Sequence, residues 1–392
     1  MIIGTALIVS VLIAFFITPL VIKFANKAGI VDTPSDDRRM HDHPIPLLGG
    51  ISIIVAFFTS SILLSLYVHH FNSNPTPLHY IIQLLPGAVI ISIMGFFDDR
   101  RDLPAMPRLL IQCVAAGITV AMGLQIKFIS ASITLFHTYT FQLDALSIPI
   151  TVLWIVGMTN AVNWIDGLDG LAVGISSIAS FSILLIAMFQ PNRPQLSVAI
   201  LAAALAGGCL GLLPFNKNPA KVFMGDTGAM FLGFTLAVVS IQGFIKIYAT
   251  VSLAVPLLIL GLPLLDTASA IIRRVLSGKS PATADRSHIH HKLVDMGLSQ
   301  RQAVILLYSA SATLSIVGIL FSIYSTAVGW RFLLVGLVVI FAVFFVLLMI
   351  FRRWNVRVAL NAAECKDDPA QGSGSASKNA DDDENSHDDG EN

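Results

Sequence analysis

The chain has 392 residues, 55% hydrophobic and 12% charged, with a mean hydropathy of +0.77. Such values exclude an ordinary soluble domain and indicate an integral membrane protein. Formal net charge is zero, with 24 basic and 24 acidic residues, so the information lies in where the charges fall.

Apolar runs of about 20 residues predict an all-α polytopic membrane protein of about eleven transmembrane helices, at 2–22, 47–67, 79–97, 108–125, 148–165, 171–189, 195–213, 227–244, 249–271, 302–324 and 331–351. No basic segment precedes the first run, so it reads as a retained span and not a cleaved signal. No period of 20 to 50 residues repeats. Cys113, Cys209 and Cys365 lie far apart, without disulfide or zinc spacing.

Lys and Arg set the orientation. One set of connections carries Lys23, Lys27, Arg38, Arg39, Arg100, Arg101, Arg108, Lys217, Lys221, Arg273, Arg274, Lys279, Arg286, Lys292, Arg301 and the juxtamembrane Arg352, Arg353 and Arg357. The opposite set carries only Lys127, Arg193, Lys246 and Arg331. The basic side is expected to be cytoplasmic, with the N-terminus outside and the C-terminus inside. Residues 1–351 then form an integral membrane domain. Residues 352–392 form a juxtamembrane segment and a disordered tail rich in Gly, Ser, Asn and Asp. Outside, the stretch from Lys127 to Ser147 alternates β-branched and polar residues, which suggests a short hairpin.

The distinctive polar motifs all fall on the basic side. The first loop holds Arg38-Arg39-Met-His41-Asp42-His43, then Pro44-Ile-Pro46-Leu-Leu-Gly49-Gly50. A membrane-surface anchor would account for its arginines, but not for its prolines and paired glycines. The second begins Asp98-Asp99-Arg100-Arg101-Asp102. Adjacent carboxylates repel unless a cation or the arginines compensate.

The third, Asn160-Ala-Val-Asn163-Trp-Ile-Asp166-Gly167-Leu-Asp169-Gly170, follows an apolar run and repeats Asn or Asp every third residue on one helical flank. A helix cap with a glycine turn needs fewer polar groups. Ionisable residues at such depth usually face a wet cavity or a site.

In the fourth, Asn216, Lys221 and Phe223 precede Gly225-Asp226-Thr227-Gly228 at the mouth of a span. Glycines there allow close backbone approach, a helix N-terminus favours phosphate, and Phe223 offers a surface for a base to stack on. An N-capping Asp226 in an ordinary turn is the simpler alternative. The fifth loop carries Arg286, then His288-Ile-His290-His291, with Asp266 nearby on the preceding span. Three histidines suggest zinc, but the cationic surroundings and lack of a neighbouring cysteine suit a phosphate-rich substrate better.

Several aspartates on one face suggest Mg²⁺, which takes oxygen ligands and is held by one or two carboxylates plus substrate phosphates. Positioning and charge stabilisation are what phosphoryl transfer requires.

These motifs, in this order, resemble the polyprenyl-phosphate N-acetylhexosamine-1-phosphate transferases. The match rests on Asp98-Asp99, on Asn160 to Gly170, on Pro219-Ala-Lys-Val-Phe-Met-Gly-Asp226-Thr-Gly and on His288-Ile-His290-His291. The resemblance implies transfer of a sugar 1-phosphate from a UDP-sugar to undecaprenyl phosphate with release of UMP, Mg²⁺ or Mn²⁺ as cofactor, and no nucleic-acid partner; a homo-oligomer stays open. It implies that Asp226 is a metal ligand, with Asp99 and Asp166 near the metal. Asp98 resembles the base for the lipid phosphate. Asn163, Asp166 and Asp169 resemble a central cluster contacting metal, diphosphate or nucleotide. Asn216 and Phe223 look like uridine contacts, and His290 and His291 like diphosphate contacts, with Lys221, Arg286 and His288 as further substrate-binding candidates.

The His-Ile-His-His form and the Pro-Leu-Leu-Gly-Gly ending favour a GlcNAc donor over MurNAc-pentapeptide. The product would initiate a cell-envelope glycan. An ion-coupled transporter would place its acids near mid-membrane within inverted repeats, and no repeat is seen.

Overall fold

The computed structural model describes residues 1–33, 44–72, 76–134, 137–189, 195–244, 254–276 and 288–323. The expected span at 331–351, the tail, Arg38 to His43 and Arg286 lie outside the described residues. The elements are α1 (Ile2–Ala28), β1 (Val31–Asp32), β2 (Ile45–Pro46), α2 (Gly50–Asn72), α3 (Thr76–Arg101), α4 (Ala105–Ala121), β3 (Phe128–Thr134), β4 (His137–Gln142), α5 (Ser147–Ile165), α6 (Leu171–Phe189), α7 (Leu196–Asn216), α8 (Gly225–Phe244), α9 (Ala254–Ile259), α10 (Gly261–Leu276) and α11 (Ile289–Asp295). A last described helix, α12, runs Gln300–Ile323. Seven of the described helices are long and apolar enough to cross a membrane. The fold is thus that of an all-α polytopic membrane protein.

The centre of the bundle is α7, packed by α1, α2 and α6, with α8 beside it against α3 and α5. Within its most apolar window α7 is 83% buried, whereas α1 is 28% buried and stands at the periphery. Lipid tails are as apolar as leucine, so helices associate through close backbone approach and hydrogen bonds. Gly207 and Gly211 of α7 meet α1 in this way: a Cβ on either would lie 2.5 Å from the carbonyl oxygens of Leu7 and Val11. Ser10 of α1 donates to the Ala204 carbonyl at 2.6 Å across the same seam. The expected hairpin is present as β3–β4, antiparallel with Ile129 opposite Phe141.

Two expectations about spans are corrected. The run 249–271 is not one helix: α9 ends at Ile259 and α10 begins at Gly261, where Pro263 lacks the N–H that would continue the ladder. Asp98, Asp99, Arg100 and Arg101 belong to the last turn of α3, and Arg273 and Arg274 to that of α10, so both helices run past the expected loop boundaries. α10 is also inverted in polarity. Asp266, Thr267 and Arg274 face inward while Leu265, Ile272, Val275 and Leu276 are exposed, as suits a helix with lipid outside and a polar site within.

Candidate active site

From α2 to α8 the helices alternate in direction, so α3, α5 and α7 end, and α2 and α8 begin, around one opening. Their termini enclose a cavity of about 340 Å³. Asp98 and Asp99 reach it from α3, Asn163 and Asp166 from the end of α5, Asp169 from the following turn, Asn216 from α7, Phe223 and Asp226 from the entry to α8, and His291 from α11. Asp32 and Asp102 add two more carboxylates, making seven aspartates, with no Lys or Arg among the described lining residues. Burying that much negative charge without compensation is costly.

The aspartates divide by what they hold. Asp98, 2% exposed, accepts from Leu103 N at 2.8 Å and pairs with Arg108 at 2.9 Å. Asp99 accepts from the backbone N–H of Asp226 at 2.6 Å and of Thr227 at 3.1 Å, and from the Thr227 hydroxyl. A carboxylate of α3 therefore caps the N-terminus of α8. This corrects the expectation that these amides await a phosphate, because an internal anion already fills the place. Asp169 accepts from Asn218 Nδ2 at 3.0 Å and Ala220 N at 3.1 Å, fixing the connection after α7.

Asp226 accepts from Asn163 Nδ2 through Oδ1, with Oδ2 unengaged among the described residues. The Asp166 carboxylate has no hydrogen-bond partner among them, its backbone N–H alone bonding the Asn163 carbonyl at 3.3 Å. Burial first, then the charges of Asp226, Asp99 and Asp169, push its carboxyl up to about 8.

The entry to α8 is shaped by the Pro-Leu-Leu-Gly-Gly stretch. Phe223 N donates to the Pro46 carbonyl, Gly49 N to that of Phe223 and Gly50 N to that of Met224, each at 2.9 Å. A side chain on Gly50 would strike the backbone of Gly228. Gly225 has φ +72, and a Cβ there would lie 2.7 Å from both Asp99 oxygens. Asn216, 2% exposed, donates to the Val222 carbonyl at 2.9 Å while its Oδ1 has no partner among the described residues. Phe223 lines the cavity beside it; Lys221 is exposed and does not.

The histidines stand one behind another. His291 reaches the cavity, and His288 and His290 are buried behind it. Burial, reinforced by His291, lowers the His290 pKa to about 3, so its imidazole is neutral. Asn160 is not part of the cluster, contrary to the every-third-residue reading. It donates to Gln112 of α4 at 2.6 Å, and the helix ends at Ile165, so the periodicity has no helix to run on beyond that point.

A family model described as glycosyl transferase family 4 matches residues 81–244. A Bacillus subtilis protein named a probable undecaprenyl-phosphate N-acetylglucosaminyl 1-phosphate transferase is 38% identical, over 86% of this chain and 87% of its own length. The chain belongs to this family of polyprenyl-phosphate N-acetylglucosaminyl-1-phosphate transferases. A decaprenyl-phosphate N-acetylglucosaminephosphotransferase of Mycobacterium tuberculosis is 34% identical over 76% of this chain and 77% of its own. The undecaprenyl-phosphate alpha-N-acetylglucosaminyl 1-phosphate transferase of Escherichia coli K12 is 29% identical over 81% and 84%.

For a transferase of this family the donor set matters. Among the described residues no three His, Cys, Asp or Glu side chains are grouped to hold a metal unaided. Two carboxylates with unengaged oxygens, Asp166 and Asp226, in a cavity otherwise short of positive charge fit Mg²⁺ held partly by substrate phosphate. Asp99, with both oxygens engaged by α8, fits a supporting role better than a direct one. Sequence reasoning singled out neither Asp32 nor Gln300 as a site residue, though both line the cavity. An aspartate before a loop and a glutamine in a polar run carry no signal of their own.

Proposed function

We propose that this protein transfers GlcNAc-1-phosphate from UDP-GlcNAc to undecaprenyl phosphate, giving undecaprenyl-diphosphate-GlcNAc and UMP. The observation that carries the reading is the pair Asp166 and Asp226, which leave oxygens unengaged in an aspartate-lined cavity at the helix ends of a family member. Its relatives bear names that specify the same sugar phosphate and a polyprenyl phosphate acceptor.

Asp166 and Asp226 would hold Mg²⁺, or Mn²⁺, which supplies charge neutralisation at the diphosphate. Asn163 keeps Asp226 aimed by donating to its Oδ1. Asp99 fixes the first turn of α8, and with it the backbone that carries Asp226. The unpartnered Oδ1 of Asn216 beside Phe223 suits an N–H and the ring face of uracil. His291 stands where it can donate to the diphosphate.

An acceptor phosphate oxygen forms the new bond to the β-phosphorus, the bond to the bridging oxygen breaks, and UMP leaves with that electron pair. The acceptor is a phosphate monoester that loses its second proton near pH ~6, so it arrives as an anionic nucleophile. Asp98, tied to Arg108, need then only steer it. Direct displacement suffices, without a covalent aspartyl intermediate.

The basic ends of α1, α3 and α10 lie on the cavity side, which supports a cytoplasmic site in the bacterial inner membrane and an external N-terminus. Purified protein given undecaprenyl phosphate and Mg²⁺ should release UMP with UDP-GlcNAc. Release with UDP-MurNAc-pentapeptide alone would overturn the donor assignment.

A further inference from the structure

Asp266 lies on the inward face of α10, 2% exposed. A carboxylate at such depth is costly unless it is fully engaged. Its two oxygens each take one donor from the same turn: Oδ2 lies 2.9 Å from His288 Nδ1, and Oδ1 accepts from Ile289 N at 2.9 Å. Asp266 thereby fixes both the ring and the backbone at the start of α11.

The His288 ring is braced by Trp164 of α5 at 6.0 Å and lies parallel to His290, 5.8 Å away at 11°. His290 is 2% exposed, and neither ring nitrogen has a hydrogen-bond partner among the described residues. Among the described residues it is placed by packing, against the rings of His288 and His291. It occupies the space left by the missing side chain of Gly167, next to Asp166, where a Cβ would run into the ring. His291 follows at 4.3 Å between rings and lines the cavity. The contacts run without a break from α10 to the site.

We propose that Asp266 is a positioning residue that, through the His288–His290 stack, sets where His291 stands in the cavity beside Asp166. This rests on the transferase reading above. Asp266 does not line the cavity; its whole effect passes through the histidine turn.

The test is a cycle in purified full-length protein: Asp266→Ala, His291→Ala and the double variant, with Asp266→Asn in parallel. Loss of a buried positioning partner is worth about 10–100-fold, so Asp266→Ala should lower kcat/KM by that factor. Asp266→Asn, which keeps an acceptor for one donor, should lose less. In the His291→Ala background Asp266→Ala should add less than about twofold, since both act through one group. Gly167→Ala, which would displace His290 with Asp266 intact, should reproduce the loss and be equally non-additive.

Multiplying losses in the double variant, or a wild-type rate for Asp266→Ala, would overturn the inference while leaving transfer by the wild-type protein intact. If the wild-type protein releases no UMP, the transferase reading falls instead. The positioning claim is then read from the rate at which a thiol reagent modifies His291→Cys, with Cys113, Cys209 and Cys365 replaced. Asp266→Asn should change that rate several-fold, and an unchanged rate refutes the claim.

Discussion

Asn160 and Asn163 lie one helical turn apart on α5, yet the structure treats them oppositely. Asn160 turns into the bundle, where it pairs with Gln112 and bonds the Val156 carbonyl. Asn163 turns toward the opening and donates to Asp226. Elsewhere in the interior Thr151, Thr159 and Ser180 likewise bond carbonyls four residues back. The cavity region leaves some groups unsatisfied. An asparagine alone therefore does not mark the site; its place among the carboxylates that line the cavity does.

The largest effect should come from removing an unengaged carboxylate. Asp226→Asn is expected to lower transfer by on the order of 10³-fold, the scale on which a preorganised charge-stabilising group acts, with normal amounts of protein in the membrane. Radiolabelled product formation in membranes measures it, and wild-type turnover would remove the distinction between the two regions.

Next in size, Gly50→Ala forces a side chain into the Gly228 backbone. Overpacking of this kind costs about 1–3 kcal/mol. The melting temperature in detergent should fall, and activity with it, because the bed of the Phe223–Asp226 loop shifts. Asp169→Asn should act more mildly, about 10-fold, and on KM more than on kcat, since Asp169 holds a loop and makes no other described contact.

A pH titration sharpens the comparison. Asp166 has its pKa raised from 3.8 to about 8, so the metal-free folded protein binds a proton that the unfolded chain releases. That contribution to stability is fully present below about pH 4 and is lost as pH rises through about 8. Divalent-cation binding displaces the same proton, so apparent Mg²⁺ affinity should rise with pH up to about 8 and level off above it. Asp166→Asn should reduce the slope, read by calorimetry, leaving the part set by Asp226, whose carboxyl is also pushed up by burial.

The smallest effect belongs to the interior pair. Asn160→Ala should cost about 0.6 kcal/mol of stability and leave kcat unchanged. A hundredfold loss of rate would show that the interior and the site are one unit.

Much of this was legible in the chain. The Asp98-Asp99, Asn163-to-Asp169, Asn216-to-Asp226 and histidine motifs do converge, because charged residues at the ends of alternating spans have only one of two faces to occupy. The β3–β4 hairpin followed from alternation. What stayed hidden was partnership. Nothing in the Asp98-Asp99 dipeptide says that one member takes an arginine ten residues on and the other the amides of a helix 127 residues on. Lys221 looked like a ligand-binding lysine by sequence neighbourhood, and the fold turns it outward. The break between α9 and α10 was masked by apolar residues on both sides of Gly261 and Pro263.

The tie between Asp99 and α8 has a consequence for biogenesis. During synthesis α3 is made long before α8, and until then Asp99 lacks the α8 donors that hold it in the fold. The bundle can therefore acquire its binding chamber only when the eighth helix seats, so an incomplete nascent chain would be unable to engage nucleotide or cation prematurely.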